Sequence, residues 1–379
     1  MRILFITNFY QLYGANRSLL SIMEKFKESG DQVCLLLPKK GDYSEELDRK
    51  GIDYMVIPFF SQLLFFKFAR PYLIWPFLSI ATVILLPYIV FRVRKFRPDI
   101  IYSNTIADNI GIIIARVLGK KHITHVRDFM DLDHGAIFLF GSKAKKKYVS
   151  MSDGVVYVSR SVAEHTMLSK TLPPHHEVIY NGVKMDVNSR YEEKELPKTI
   201  NLGIVGLLDE SKGQHIAIEY FNAIKDDYPN AFLHLWGDKE SPYKKRIFNM
   251  INSLGLKKRV IFHGFEKNTS IIYKDMSVLL MCSRAEGFGR VTVEAMANGI
   301  PVMGYNSGGT AELVKDGYNG YLFSNLEEFR CGFNDMFSSV NRYNQLCSQA
   351  YLDAHQHYSE AIYTNNVYSF VKELVQNKM

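Results

Sequence analysis

Two glutamates flank a glycine-containing loop late in the chain and could act on one bound ligand. Glu286 follows an apolar strand, and Glu294 lies eight residues later on a helix predicted over about residues 289–298. A second glycine pair, Gly308 and Gly309, opens another helix after the next strand. The free N–H groups and positive dipole end of a helix favour phosphate, so two helix N-termini at one edge of a parallel sheet suit a diphosphate. We therefore expect the glutamates to reach opposite ends of one ligand.

The surrounding residues carry a family resemblance. EGFGRVTVEAMANGIPV, followed by SGGTAEL and DGYNGYLF, resembles the retaining nucleotide-sugar glycosyltransferases of family four. The resemblance implies an α/β protein of GT-B fold, with two Rossmann-like domains whose parallel sheets face each other across a cleft. It implies that Glu286 holds the transferred sugar opposite the leaving group, either stabilising an oxocarbenium-like centre or acting as nucleophile, and that Glu294 accepts hydrogen bonds from the ribose. It assigns further donor contacts to Gly287, Phe288, Gly289, Arg290, Val291 and Thr292.

A second motif, VGLLDESKGQ, resembles the family's phosphate-binding strand and loop. It places Gly206 at the donor and makes Lys212 the lysine that binds phosphate and stabilises the leaving group, with a plain surface lysine as the alternative. The family's arginine position is occupied by Leu207. Either another cation supplies the missing charge or donor binding is weakened. The candidates for that cation are Arg17, Arg284 and Arg290.

Two segments of the N-terminal half resemble the rest of the family's site. Gly14 precedes a helix that contains Arg17, as in the glycine loop near the donor diphosphate, although a plain turn is the alternative. His125, Arg127 and Asp128 fall where the family places groups near the transferred sugar or the acceptor. We expect His125 and Arg127 to face opposite sides of an extended strand. Which of the two is catalytic stays open, as does a purely structural histidine.

The pair Asp131 and Asp133 imitates a metal-binding D-x-D motif of another glycosyltransferase fold. It lies in the wrong domain for that motif, so we expect an acceptor-side loop or a helix cap. No other carboxylate, histidine or cysteine cluster has ligand spacing, and we expect no essential metal and no cofactor beyond the nucleotide sugar as co-substrate.

An uncharged, mostly apolar run covers residues 72–91, after Arg70 and before a basic stretch. Its length suits a membrane span. The strands predicted at 53–58 and 98–104 are expected to share one sheet, however, and a membrane span would separate them. We favour a helix or helical hairpin, broken near Pro76 and Pro87, that inserts partly into one leaflet. A true span and a wholly buried core helix are the alternatives. The basic stretch consists of Arg92, Arg94, Lys95 and Arg97.

Composition and order of elements predict two α/β domains. A chain of 379 residues with 47% hydrophobic content can form two ordinary cores, and its strand and helix patterns alternate. The expected divisions are an acceptor-side N-terminal domain at 1–182 with a membrane-associating segment near 59–97, a linker at 183–198, a nucleotide-sugar-binding domain at 199–358, and a helix at 359–379 that returns to the first domain.

Charge and cysteine usage indicate the surroundings. Residues 1–180 carry 24 Lys and Arg against 16 Asp and Glu, a net +8, which suits nucleic acid, an anionic membrane surface or a phosphorylated substrate. No nucleic-acid-binding motif accompanies this charge. Cys34 and Cys282 lie in strand-like runs, are expected to be buried thiols, and favour a reducing compartment. We expect a cytoplasmic protein on the inner face of the cell membrane.

The predicted function is transfer of a sugar, with retention of configuration, from a nucleotide diphosphate sugar to a glycan or lipid-linked glycan. A UDP-hexose donor and a role in cell-surface polysaccharide synthesis are favoured. A GT-B sugar-nucleotide epimerase and a weakly catalytic scaffold, which would account for Leu207, are the alternatives. An NAD-linked oxidoreductase is disfavoured because no G-x-G-x-x-G follows the first strand.

Overall fold

The structure is a computed structural model that describes residues 1–60, 63–65, 71–107, 109–138, 141–167, 175–186 and 189–376. The chain divides into two units, one formed by residues 1–182 with 360–379 and the other by residues 183–359. Arg70 of the predicted basic flank lies outside the described residues.

The first unit alternates apolar strands with helices, as the sequence pattern predicts. Its elements up to residue 178 are β1 (Arg2–Ile6), α1 (Gly14–Glu28), β2 (Gln32–Leu37), α2 (Asp42–Lys50), β3 (Asp53–Val56), β4 (Leu63–Phe65), α3 (Pro71–Phe96), β5 (Ile100–Ser103), α4 (Ile110–Leu118), β6 (Lys121–Val126), α5 (Asp131–His134), β7 (Ala136–Phe138), α6 (Gly141–Ser150), β8 (Gly154–Tyr157), α7 (Arg160–Thr166) and β9 (His175–Val178). Seven of the described strands form a parallel sheet in the order β3-β2-β1-β5-β6-β8-β9, while β4 and β7 pair antiparallel.

The second unit repeats the same plan. Its elements are β10 (Ile200–Val205), a short 3₁₀ helix (Glu210–Lys212), α8 (Gln214–Ile224), β11 (Ala231–Trp236), α9 (Pro242–Ser253), β12 (Val260–Gly264), α10 (Thr269–Tyr273), β13 (Val278–Met281), α11 (Arg290–Ala297), β14 (Val302–Tyr305), α12 (Gly308–Leu313), β15 (Gly320–Phe323), α13 (Leu326–Met336) and α14 (Val340–His357). The six strands form a parallel sheet in the order β12-β11-β10-β13-β14-β15. Because β10 lies centrally beside β13, the loops after these two strands are neighbours at one edge.

The final helix, α15 (Glu360–Gln376), belongs to the first unit. Its residues Tyr363, Val367, Phe370 and Val371 are buried in the same apolar cluster as α1 and the strands of the first sheet. The cluster on the opposite face of that sheet takes in α3 and α4, through Ile89, Val93 and Ile114 among others.

The stretch predicted as a linker lies within the second unit, and residues 187–188 of it are outside the described part. Tyr191 donates a hydrogen bond from its hydroxyl to Oδ1 of Asn344, and the backbone N–H of Lys194 donates to the same oxygen. Nζ of Lys194 donates to the carbonyl of Gly299. These bonds hold residues 189–198 along the second unit.

The apolar run forms one uninterrupted helix, α3, so the expected breaks at Pro76 and Pro87 are wrong. Pro87 is exposed, and there the carbonyl of Val83, which loses its N–H partner, can remain solvated. A wholly buried core helix is also wrong, because Val83 and Ile84 are 67% and 70% exposed. Among the described residues, no helix is both long and apolar enough to cross a membrane.

A buried histidine makes the stability of the first unit dependent on pH. Burial, and then Arg116, lower the pKa of His122 from 6.5 to about 3. Its ring nitrogens are held by the hydroxyls of Ser103 and Ser152 at 2.9 and 3.0 Å. Between pH 6.5 and about 3, the unfolded chain therefore binds a proton at this histidine and the folded chain does not. Stability is highest above pH 6.5 and is lost as the pH falls towards 3.

We predict that His122→Gln reduces this acid sensitivity. One such histidine changes the free energy of unfolding by up to about 1.4 kcal/mol per pH unit between the two pKa values. Urea unfolding midpoints measured above and below pH 6.5 should therefore fall less in the variant than in the parent. Equal falls in both proteins would contradict a neutral His122 in the folded state.

Candidate active site

The loop between β13 and α11 places Glu286 beside a helix N-terminus that has no side-chain cap. Gly289 occupies the cap position with φ of 96°, a left-handed conformation that glycine adopts without strain. The hydroxyl of Thr292 is fully buried one turn later and has no hydrogen-bond partner among the described residues. The backbone N–H groups at the start of this helix can thus be offered to an anion.

Lys212 and Glu286 meet in an ion pair at this edge of the second sheet. Nζ of Lys212 lies 2.8 Å from Oε2 of Glu286, and their side chains are 33% and 15% exposed. Asp209 caps the 3₁₀ helix that carries the lysine, and Gly213 follows with φ of 73°. A side chain at Gly213 would meet the carbonyl oxygen of Cys282 at 2.3 Å, so the glycine lets the two strand-end loops approach each other. The structure therefore brings together two residues predicted from separate motifs.

The second glycine pair has a different role from the one expected. A Cβ at Gly308 would lie 2.7 Å from the carbonyl oxygen of Glu286, and a Cβ at Gly309 would lie 2.6 Å from that of Phe288. The N–H of Gly309 donates to the Glu286 carbonyl at 2.7 Å. The space that these glycines provide is filled by the protein's own loop, residues 286–288, and they fix its backbone.

The carboxylate of Glu294 accepts hydrogen bonds from two neighbouring side chains, one of which lies outside the sequence motif. Nε of Arg290 donates to its Oε1 at 2.9 Å, and the hydroxyl of Tyr273 donates to Oε2 at 3.0 Å. Burial, and then Glu294, raise the pKa of Tyr273. Arg290 therefore helps to orient Glu294 through its Nε. Tyr273 comes from α10 and lies beyond any spacing pattern around the glutamates.

Leu207 is 39% exposed just after β10, and the loop that follows β11 packs against its backbone. A side chain at Gly237, after β11, would meet the carbonyl oxygen of Gly206 at 2.1 Å and the N atom of Leu207 at 3.3 Å. Lys239, two residues later, places Nζ 2.5 Å from Oδ2 of Asp209. Lys239 was not among the predicted site residues, and its position as a cation on the neighbouring strand-end loop is the signal that could have identified it.

The other two proposed arginines, Arg284 and Arg17, each make a contact within their own unit. Arg284 stacks its guanidinium over the ring of Tyr305 at 5.3 Å from the centroid. Arg17 belongs to the first unit, in the helix that begins at Gly14, and its Nε donates to the carbonyl of Leu12 at 3.3 Å. The N-terminus of this 15-residue helix also has no side-chain cap.

His125 and Arg127 are fully buried on the same side of the first sheet, so the expected opposite orientation is wrong. Residues two apart in a strand share a face. Nδ1 of His125 lies 2.5 Å from the hydroxyl of Tyr102, and NH1 of Arg127 donates to the hydroxyl of Tyr363, in the same core cluster. Burial, and then Arg127, lower the pKa of His125 well below 6.5, which keeps this imidazole neutral.

Arg127 makes several internal hydrogen bonds. Its Nε and NH2 donate to Oδ1 of Asn104 at 2.9 and 2.7 Å, and its NH1 donates to Oδ1 of Asn181 at 2.6 Å. This arrangement favours positioning of the strand end over chemistry by the guanidinium. Nε2 of His125 is buried without a hydrogen-bond partner in the described part of the chain, and the adjacent Asp128 is half-buried.

The two aspartates of the D-x-D sequence, Asp131 and Asp133, make contacts within the first unit. Asp131 begins α5 and lies 2.8 Å from Nε2 of His165, while Oδ2 of Asp133 accepts from the N–H of Phe129. Within the described residues, no group of three or more histidine, cysteine, aspartate or glutamate side chains could hold a metal ion.

Two family models match successive parts of the chain. The one described as Glycosyltransferase Family 4 matches residues 13–187, and the one described as Glycosyl transferases group 1 matches residues 188–352. The chain belongs to glycosyltransferase family four. Its two parallel sheets with surrounding helices are those of the GT-B fold, and the predicted family and fold class are confirmed.

Curated relatives of this family-four chain align over part of their length. One uncharacterized glycosyltransferase of Methanocaldococcus jannaschii is 25% identical over 266 residues, which cover 64% of this chain and 63% of the relative. A second from the same organism is 32% identical over 218 residues, covering 56% and 57% of the two chains. The chain thus aligns with less than two thirds of the length of these two relatives.

Solved structures match the family-four chain over nearly its whole length. HepE of Anabaena, solved in complex with UDP and glucose, gives a TM-score of 0.80 at 23% identity, covering 98% of this chain and 99% of its own. A glycosyltransferase of Rickettsia africae gives a TM-score of 0.78 at 18% identity, covering 100% and 99%. At these identities the likeness establishes the fold alone.

Proposed function

We propose that this chain transfers a sugar from a UDP-sugar to a glycan or lipid-linked glycan acceptor with retention of configuration. The observation that carries the proposal is the pair of Lys212 and Glu286, 2.8 Å apart beside the uncapped N-terminus of α11. A cation and helix N–H groups suit a diphosphate, and a carboxylate suits the positive charge that develops at the anomeric carbon.

Donor binding would exchange the partners of this ion pair. The diphosphate takes Lys212 and the N–H groups of α11, and the Glu286 carboxylate is released to the sugar. During transfer the bond from the anomeric carbon to the diphosphate oxygen breaks, a bond to the acceptor oxygen forms, and the proton of the acceptor hydroxyl passes to the leaving diphosphate. Lys212 then stabilises the negative charge on the leaving group, and Glu286 the positive charge on the sugar.

Several similarities support the choice of donor and acceptor. HepE is described in complex with UDP and glucose, and TarM of Staphylococcus aureus in complex with UDP and a glycerol-linked amino sugar. A Bacillus anthracis relative, 29% identical over 188 residues, is named as an N-acetyl-glucosaminyl malate synthase. We propose a UDP-hexose as donor and a role in cell-surface polysaccharide synthesis.

We propose that no metal ion is needed. Lys212, Lys239 and the helix N-terminus are placed to supply the positive charge that a metal would otherwise bring to a diphosphate. His125, Arg127, Asp128, Gly14 and Arg17 remain candidates in the first unit for acceptor-side and donor contacts.

Ligand-induced stabilisation tests the proposal directly. The melting temperature of the pure protein is measured with a panel of nucleotide sugars, because a ligand that binds the folded state raises it. One UDP-sugar should raise the melting temperature more than the same sugar without UDP. NMR of the product should then show that this sugar is transferred with its anomeric configuration retained. Stabilisation by none of the panel, or a product with inverted configuration, would refute the proposal.

Glu294→Ala is expected to weaken UDP binding by roughly 1–3 kcal/mol, the effect of a lost charge-assisted hydrogen bond. The physical reason is that Glu294, held by Arg290 and Tyr273, presents a preorganised acceptor to the ribose hydroxyls. Calorimetric titration with UDP measures the change. Tyr273→Phe, which keeps the carboxylate, is the matched control and should lose far less. Equal losses would make Glu294 a structural residue.

We also propose that the protein lies peripherally on the inner face of the cell membrane. The support is the exposed apolar face of α3 together with the net charge of +8 on residues 1–180. An apolar helix face and basic residues act together in binding an anionic leaflet.

A further inference from the structure

The outer face of α3 changes from apolar to basic along the helix. Its apolar residues recur every three or four positions, as one helix face requires. They are Phe77, Ile80, Val83, Ile84, Tyr88 and Phe91, between 48% and 72% exposed, and together they form what we term the apolar face. One turn further on, the same side of the helix carries the exposed Arg94 and Lys95.

An open cavity of about 490 Å³ lies where this change occurs. It is lined by Arg2, Phe91, Arg94, Lys95 and Arg97. Phe91 therefore belongs to both the cavity and the apolar face. Nζ of Lys95 lies 4.5 Å from the centre of the Phe91 ring.

Positive charge dominates the lining of this cavity, whose four cations are Arg2, Arg94, Lys95 and Arg97. No salt bridge is recorded within the described residues for Arg94, Lys95 or Arg97, which we term the pocket triple. Nε of Arg2 donates to the side-chain oxygen of Gln32, and its backbone N–H occupies Oδ2 of Asp99. Four neighbouring positive charges repel one another, and an anion between them would relieve that repulsion.

Arg97 has an unusual backbone conformation. Its φ is 53°, in the left-handed region that residues other than glycine seldom adopt, and its N–H donates to the carbonyl of Arg94. The turn ends α3 and brings Arg97 to the cavity. Such conformations are concentrated at ligand sites, where the surroundings enforce them.

We propose that this cavity binds the phosphate of an anionic phospholipid while the apolar face of α3 lies in the same leaflet. Guanidinium groups bind phosphate oxygens through paired N–H donors, and the cavity is large enough for a headgroup. The shared Phe91 makes a lipid the fitting ligand, because a phosphate held there has acyl chains beside the apolar face. The inference rests on the proposed peripheral placement and is independent of sugar transfer.

A matched pair of variants distinguishes specific phosphate binding in the cavity from non-specific electrostatic attraction to the membrane. In the first, the pocket triple is changed to glutamine. In the second, three lysines of α6, Lys143, Lys146 and Lys147, are changed to glutamine. This α6 triple removes the same charge from the same unit, and these lysines also have no recorded salt bridge in the described part of the chain.

Binding is measured by sedimentation with phosphatidylcholine vesicles that contain or lack phosphatidylglycerol. Each cation near an anionic surface is worth roughly fivefold in affinity, so loss of the pocket triple should cost on the order of a hundredfold. The α6 triple should cost about tenfold less than that. Equal losses of vesicle affinity in the two variants would refute phosphate binding in the cavity, even if the parent protein binds vesicles and lies peripherally on the membrane.

Inorganic phosphate distinguishes a lipid from a soluble ligand. At the concentration of the lipid phosphate, it should leave vesicle binding by the parent essentially unchanged. Displacement of the parent from vesicles by inorganic phosphate would overturn the lipid assignment in favour of a soluble anion. Both variants should keep the parent's melting temperature and its stabilisation by the UDP-sugar donor. A failure of that stabilisation in the parent would count against the proposed function alone.

Discussion

Replacing Glu286 by glutamine is expected to reduce sugar transfer by roughly a hundredfold to a thousandfold while UDP binding persists. Glutamine keeps the size of the side chain but removes the negative charge that would face the anomeric carbon. The loop itself should be unaffected, because it is held through its backbone by Gly308 and Gly309. Initial rates with a saturating donor, together with calorimetric titration of UDP, measure the two effects separately.

The ion pair provides the control for this experiment. Glu286→Gln also leaves Lys212 without its carboxylate, so part of any loss could come from a displaced lysine. The double variant, with Lys212→Ala added, separates the two contributions. Transfer at the parent rate by Glu286→Gln would refute the assigned role of this residue.

Lys212→Ala is expected to lower kcat/KM by roughly a hundredfold to a thousandfold, since it removes a charge aimed at the leaving diphosphate. The effect should appear in kcat as well as KM, because charge on the leaving group grows towards the transition state. Steady-state kinetics with varied donor concentration distinguishes the two parameters. Lys225→Ala is the matched control. Among the described residues, the salt bridge of Lys225 is with the exposed Asp226.

Lys239 gives this prediction a second part. If it supplies the charge missing at Leu207, Lys239→Ala should also lower kcat/KM, and Leu207→Arg should restore some of the loss. Parent kinetics in both Lys212→Ala and Lys239→Ala would mean that backbone N–H groups alone hold the phosphates.

Local patterns predicted most strands, but pairings between distant residues were missed. The mostly apolar runs at 32–37, 100–103, 200–205 and 278–281 form strands with those bounds, because strands buried on both faces are largely apolar. The pairing of β4 with β7 was not predicted. Each strand has three residues, and they are some seventy positions apart in the chain, so no local pattern identifies them.

The site shows the same division. The glycines and Glu286 follow from one short motif, whereas the contacts of Lys212 with Glu286 and of Tyr273 with Glu294 depend on the order of the strands in the sheet. The glycine pair at 308–309 was predicted to open a helix, but sequence alone did not show that the protein's own backbone packs against it. Because side chains alternate between the two faces of an extended strand, His125 and Arg127, two residues apart, should have been predicted on one face, where the structure places them.

The position of α15 determines the order in which the chain can finish folding. The ribosome releases the N-terminal half first, yet Tyr363, Val367, Phe370 and Val371 complete that half's core. At about 5–20 residues per second, synthesis of residues 183–376 takes roughly ten to forty seconds, during which this core lacks its last helix. The second unit is contiguous in sequence and can close before the first. A released chain that ends before residue 360 therefore has a complete C-terminal unit and an incomplete N-terminal one, which exposes apolar surface to chaperones and proteases.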